Sequence, residues 1–313
     1  MLEMLSGALV FGLVVSAFYW AIGAAVFKAN LSILDDIPIY LRWIKKRGTL
    51  WENALQIAII ALAFSFLLSV LFLAVRYLGR NAVVVTSLAA SWLALCATTR
   101  AVLRHLGVNK NYALVVGVLH ASLMILLWLN YTTWLIPNYM ALVMAAFFLI
   151  AFKNITISQT LVVGSAVVIH DLAAVFVTGM MIAVAQAAVP DSILYAENPA
   201  PIMIAVPKVY SGFAAPAKSA FSFIIGLGDV VFPGLIVVAV IRNSMRFGCR
   251  MMTVGALGGY LAGLLFTTAV LFIAKTGQPA TIYLIPGVAL GFLLTAAYYG
   301  KIKEVFDETK GPD

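Results

Sequence analysis

Charge is what this 313-residue chain has least of. Only 10% of its residues are Asp, Glu, Lys or Arg, against 64% hydrophobic. A water-soluble domain of this length cannot bury so much apolar surface, so a soluble globular protein is excluded. Cysteine is also scarce. The two present, Cys96 and Cys249, lie in or beside apolar runs with no C-x-x-C spacing, which excludes a disulfide framework and the common zinc sites. H-E-x-x-H and G-x-S-x-G are both missing, which removes the zinc-protease and serine-hydrolase signatures. The formal charge is +8, yet the basic residues fall at the ends of apolar runs and form no aromatic-rich basic cluster. They therefore point to membrane orientation and contact with anionic membrane lipid, and not to nucleic acid. The start, Met1-Leu2-Glu3, lacks a basic n-region, and the apolar run after it is too long for a signal-peptide core. It reads as a first membrane span.

What is present is a succession of apolar segments. Nine are distinguished, at roughly 5–27, 53–79, 82–106, 111–131, 137–152, 156–188, 219–241, 248–275 and 279–300. Spans of about 20 residues are the expected unit, so the expected fold class is an all-α polytopic membrane protein with nine transmembrane helices. The first four segments (1–136) read as a membrane scaffold, and the last five (137–313) as the region that carries chemistry. The sixth segment is longer than a bilayer needs. It must tilt, extend or break, and Gly179 is one break point. Pro190, Pro199, Pro201, Pro207 and Pro216 exclude a long regular helix over 189–218, a loop that can move as a gate. In the eighth segment Gly255, Gly259 and Gly263 form a small-x-x-x-small face suited to close helix packing.

The basic residues give an orientation. With the N-terminus outside, fifteen Lys and Arg fall on the cytoplasmic side and five, Arg76, Arg80, Lys208, Lys218 and Lys275, on the outside. The excess predicts an outside N-terminus and a cytoplasmic C-terminus. The first loop, Ile37–Trp51, mixes aromatic and basic residues. It fits a segment lying on the cytoplasmic interface and fits a solvated basic loop equally well. Loops this short suit a prokaryotic or archaeal membrane.

Two acidic residues lie well inside apolar segments. Asp171 sits in VVIHDLAAVFVTG, and Asp229 follows Gly226-Leu227-Gly228 in FSFIIGLGDVVFPG. A carboxylate at membrane depth costs several kcal/mol and marks a functional site by default. The bland alternative is an ion pair that holds helices together, but neither residue has a basic partner at mid-span in the sequence. Two carboxyl groups brought close in a dry site share a proton. Such a pair can activate water and protonate a leaving amine, with no metal and no cofactor. His170, beside Asp171, can tune the pair or bond within the bundle. His120 reads as a packed, satisfied histidine. Pro279 opens the last span, where proline is ordinary, and sequence physics alone does not assign it to a site.

These residues carry a family resemblance. Gly226-Leu227-Gly228-Asp229 followed by VVFPG resembles the GxGD motif of presenilin-type intramembrane aspartyl proteases, in the GLGD form of signal peptide peptidases. His170-Asp171 falls where that family has Tyr-Asp, and Gln278-Pro279-Ala280-Thr281 resembles its QPAL stretch. The resemblance implies a catalytic pair, Asp171 and Asp229, with Gln278, Pro279, Ala280 and Thr281 shaping the site around an extended substrate. It implies as substrates transmembrane helices of type II orientation and remnant signal peptides. His in place of Tyr at position 170, and Thr in place of Leu at position 281, are the two departures. A proton-coupled transporter using the same carboxylates, and a non-catalytic chaperone on the protease fold, are the competing readings.

Overall fold

The computed structural model of the protein describes residues 2–28, 80–131, 133–153, 155–177, 201–207, 221–274 and 279–306. Helices dominate them. In chain order these are α1 (Leu2–Lys28), α2 (Arg80–His105), α3 (Lys110–Asn130), α4 (Leu135–Ala151), α5 (Ile157–Leu172), α6 (Gly228–Arg246), α7 (Arg250–Ala274), α8 (Thr281–Tyr298) and the short α9 (Ile302–Phe306). Among the described residues, 7 of these are long and apolar enough to cross a membrane, and α4 is a shorter apolar helix. The protein is a multi-pass integral membrane protein. The apolar segment at 53–79, the 179 break point and the first loop lie outside the described residues.

Two details depart from an all-helical reading. Met203–Pro207 (β1) and Phe221–Gly226 (β2) form an antiparallel hairpin, in register from Met203↔Gly226 to Val206↔Phe223, with an irregularity at Val206/Pro207. The seventh apolar segment therefore starts as a strand and turns helical only at Gly228. A short apolar run that ends at glycine suits a strand as well as a helix, and its hydropathy is the same in either. The second departure is in the sixth segment. Its α-helix ends at Leu172, and Ala173–Val177 continues as a π-turn immediately after Asp171.

The chain divides into two compact units that interleave along the sequence. One takes the described residues within Met1–Gly7, Leu67–Phe148 and Ala174–Leu227, and the other those within Ala8–Phe66, Leu149–Ala173 and Gly228–Asp313. In the first unit α2 and α3 pair closely, with Gly117 against the Cys96 carbonyl, where an added Cβ would come within 2.7 Å. Leu95, Ala121 and Met140 form the buried centre. His120 is satisfied on both ring nitrogens, by Thr99 Oγ1 at 2.8 Å and the Tyr139 hydroxyl at 3.2 Å.

In the second unit α5, α6 and α8 pack pairwise, and α7 packs on α6 and α8. α6 is the buried helix, apolar on all sides, with 67% of its span enclosed. α5 begins with a full capping box. Thr156 Oγ1 accepts from the Gln159 amide at 3.2 Å, and Gln159 Oε1 accepts from the Thr156 amide at 3.0 Å. Gly248, at φ +66°, ends α6 in the left-handed conformation that glycine tolerates best.

Near the same end of α6, Arg242 reaches back to the chain just before α5. Its Nη1 donates to the Lys153 carbonyl, and Nη2 to the Ile155 carbonyl at 2.8 Å. Arg242→Met keeps most of the side-chain volume and removes both donors. The expected outcome is a loss of about 2 kcal/mol in stability, read as earlier thermal unfolding in detergent. Arg242→Lys, which can reach at most one of the carbonyls well, should fall between.

The α7–α8 contact is backbone against backbone. A Cβ on Gly259 would strike the Gly287 carbonyl, and one on Gly287 would meet the Gly259 carbonyl at 2.6 Å. Gly291 and the Gly255 carbonyl stand in the same relation, and a Cβ added to Gly263 would come within 2.7 Å of the Tyr283 carbonyl. The small-residue face read from the sequence is thus the α7–α8 seam.

Candidate active site

Asp171 is the penultimate residue of α5 and is 8% exposed. The Thr281 hydroxyl, at the first residue of α8, donates to its Oδ2. Adjacent residues of a helix leave it in different directions, yet His170 Nδ1 comes to 3.4 Å from Asp171 Oδ1. That is longer than an ordinary N–H···O bond, so His170 is an electrostatic neighbour more than a bonded partner. The π-turn that follows interrupts the regular helix directly beyond the carboxylate, a feature that recurs at functional sites.

Asp229 is the second residue of α6 and is half-buried. The aligned N–H groups of a helix start favour negative charge there. Upstream of it β2 ends at Gly226, and the Leu227 amide donates to the Ile202 carbonyl at 2.8 Å. Gly228 opens α6, and a Cβ added there would meet the Phe232 ring at an ordinary contact distance of 3.5 Å. Pro233 then brings no N–H for the Asp229 carbonyl one turn earlier.

Pro279, Ala280 and Thr281 make the first turn of α8. The Leu284 amide bonds the Ala280 carbonyl at 2.9 Å, and the Ile282 amide bonds the Pro279 carbonyl at 3.3 Å. Ala280 and Thr281 are buried, at 7% and 1% exposure. Gln278 lies outside the described residues. Of the sequence-predicted residues, the structure brings Asp171, His170 and Thr281 into contact.

Sequence reading missed two residues near this site. The Tyr19 hydroxyl, on α1, donates to the Val230 carbonyl at 2.5 Å, one residue past Asp229. Its ring meets that of Tyr260, on α7, edge-on at 5.3 Å and 78°. Both tyrosines are fully buried, and the Asp229 carboxylate is within electrostatic reach of both hydroxyls. The available signal was a phenol in the middle of an otherwise apolar run, which when buried needs a partner.

The family model for signal peptide peptidase matches residues 14–311, nearly the whole chain. The chain belongs to the signal peptide peptidase family. Among curated members, signal peptide peptidase of Homo sapiens is 30% identical over 141 residues, 44% of this chain and 34% of that one. Signal peptide peptidase-like 2A of Mus musculus is 33% identical over 86 residues, 28% of this chain and 16% of that one. These alignments span about a third or less of the relatives' length. Two solved structures of a presenilin family intramembrane aspartate protease share the fold. They superpose with TM-scores of 0.56 and 0.51 at 18% and 20% identity, covering 93% and 91% of this chain and 99% and 96% of theirs.

Proposed function

We propose that this member of the signal peptide peptidase family is an intramembrane aspartyl protease whose catalytic pair is Asp171 and Asp229. The observation that carries the reading is the antiparallel register of α5 and α6. Arg242 bonds the carbonyls of Lys153 and Ile155, and Gly164 faces Ile236 and Ile285. Asp171 lies seven residues beyond Gly164 and Asp229 seven residues before Ile236. Seven residues are about two helical turns, so each carboxylate is on the face and near the level where its helix meets the other. The Thr281 bond puts the start of α8 at the same level.

In the proposed reaction one carboxylate removes a proton from water as its oxygen attacks the peptide carbonyl carbon. The other carboxyl then gives its proton to the amide nitrogen as the C–N bond breaks. The substrate segment must unwind locally, because a helix hides its carbonyls from attack. The excess of cytoplasmic Lys and Arg supports an outside N-terminus and a cytoplasmic C-terminus. By family analogy the substrates are transmembrane helices of type II orientation, including remnant signal peptides.

The test is direct. Purified protein in liposomes is given a type II transmembrane peptide in water enriched in oxygen-18, and the fragments are read by mass spectrometry. Cuts inside the apolar stretch, with one heavy oxygen in each new C-terminal carboxylate, are expected. Proton-linked solute uptake without any cut peptide would sink the protease reading and leave the transporter one.

A further inference from the structure

Thr281 stands at a helix start but does none of the work usual there. The N-cap of α8 is Ala280, with no side-chain capping bond, and the Thr281 side chain is 1% exposed. Its hydroxyl donates to Asp171 Oδ2. A threonine hydroxyl carries one proton. Committed to Oδ2, it makes that oxygen an acceptor, and the proton of the carboxyl pair cannot occupy the same line.

Other groups face the pair. His170 Nδ1 lies 3.4 Å from the second oxygen of Asp171. From α6 comes Asp229 itself, and beside it the hydroxyls of Tyr19 on α1 and Tyr260 on α7. On α8, Tyr283 lies two residues past Thr281, and its ring packs against Phe266 of α7 at 5.2 Å. The two positions at which the chain departs from the family's motifs, 170 and 281, both approach Asp171, one on each oxygen.

We propose that Thr281 is a positioning residue that fixes the Asp171 carboxyl through Oδ2 and so turns Oδ1 to the reacting groups. This rests on the reading of Asp171 and Asp229 as the catalytic pair. Proton exchange at Asp171 runs through Oδ1, the oxygen Thr281 leaves open, while Oδ2 keeps its bond. Thr281 fixes the carboxylate without touching substrate.

The test compares Thr281→Val, which keeps the shape and loses the hydroxyl, with Thr281→Ser, which keeps the hydroxyl. The full chain in liposomes cleaves a type II transmembrane peptide across a pH series, with Asp171→Asn and Asp229→Asn alongside. Thr281→Val is expected to lower kcat about ten- to hundredfold, the factor carried by a hydrogen bond to a charged acceptor, with KM within about twofold. The limbs of its kcat/KM profile, which belong to the pair jointly, move along the pH axis, because one member has lost a hydrogen-bond donor. Thr281→Ser restores both. Thr281→Val with wild-type kcat and unmoved limbs would overturn the proposal. So would a Thr281→Ser that loses as much as Thr281→Val with a matching fall in Tm, since that is a packing role. An active Asp171→Asn or Asp229→Asn instead defeats the catalytic reading itself, and does so independently of position 281.

Discussion

Asp171→Asn and Asp229→Asn should each lower cleavage of a type II transmembrane peptide by about 10,000-fold or more, while the protein still folds. Asparagine keeps the shape of aspartate and can still accept from the Thr281 hydroxyl, so packing at the α5–α8 contact is preserved. What is lost is proton transfer. Water needs a base as it attacks, the departing nitrogen needs an acid, and one amide in the pair removes one of those functions outright. Because the two carboxyls act as a unit, the double variant should be no slower than either single one. Wild-type kcat/KM should follow a bell in pH whose two limbs belong to the pair jointly. Single-turnover cleavage in liposomes, followed by mass spectrometry, measures all three variants. Activity within tenfold of wild type in either single variant would remove that residue from the reaction.

The second large effect is expected far from the carboxylates. Gly259→Val and Gly291→Val should each cost about 3 kcal/mol or more, seen as a sharp loss of folded protein in detergent. Each added Cβ would lie on a carbonyl of the facing helix, and backbone cannot move aside as a flexible side chain can. Gly258 makes the control. It sits on the same helix with nothing within 4 Å of an added Cβ, so Gly258→Val should be nearly silent. Activity should fall along with folding in the first two, because α7 seats the helix that presents Thr281. Equal stability for the Gly258 and Gly259 variants would show that α7 and α8 are not held by close backbone approach.

Much of the candidate site was legible because membranes make polarity conspicuous. A carboxylate in a run such as VVIHDLAAVF has few bland explanations, so Asp171 and Asp229 stood out with no structural information. The apolar segments were legible for the same reason, and those within the described residues correspond to helices. The strand at Phe221–Gly226 was not, because a six-residue apolar stretch carries no period that separates strand from helix. Its consequence is local but real: Asp229 belongs to the first turn of α6 and not to the middle of a span. Tyr19 was illegible for a different reason. Its contact with Val230 joins positions 211 residues apart, and no local pattern encodes such a partner. Thr281 was noticed only as a departure from a motif, and the hydroxyl's acceptor was the missing fact.

The reach of that Tyr19 contact has a consequence for biosynthesis. Helix α1 leaves the ribosome well before its partner, because the carbonyl it bonds is made 211 residues later. At about 5–20 residues per second, the tyrosine waits roughly 10–40 s in the bilayer for its partner. Thr281 follows Asp171 by 110 residues of translation. The constellation around the two carboxyls therefore cannot close before those residues are made. Over that stretch a nascent chain carries Asp171 without the hydroxyl that completes its surroundings. Timing of this kind would keep the proposed catalytic pair incomplete beside the unfolded membrane segments of its own nascent chain.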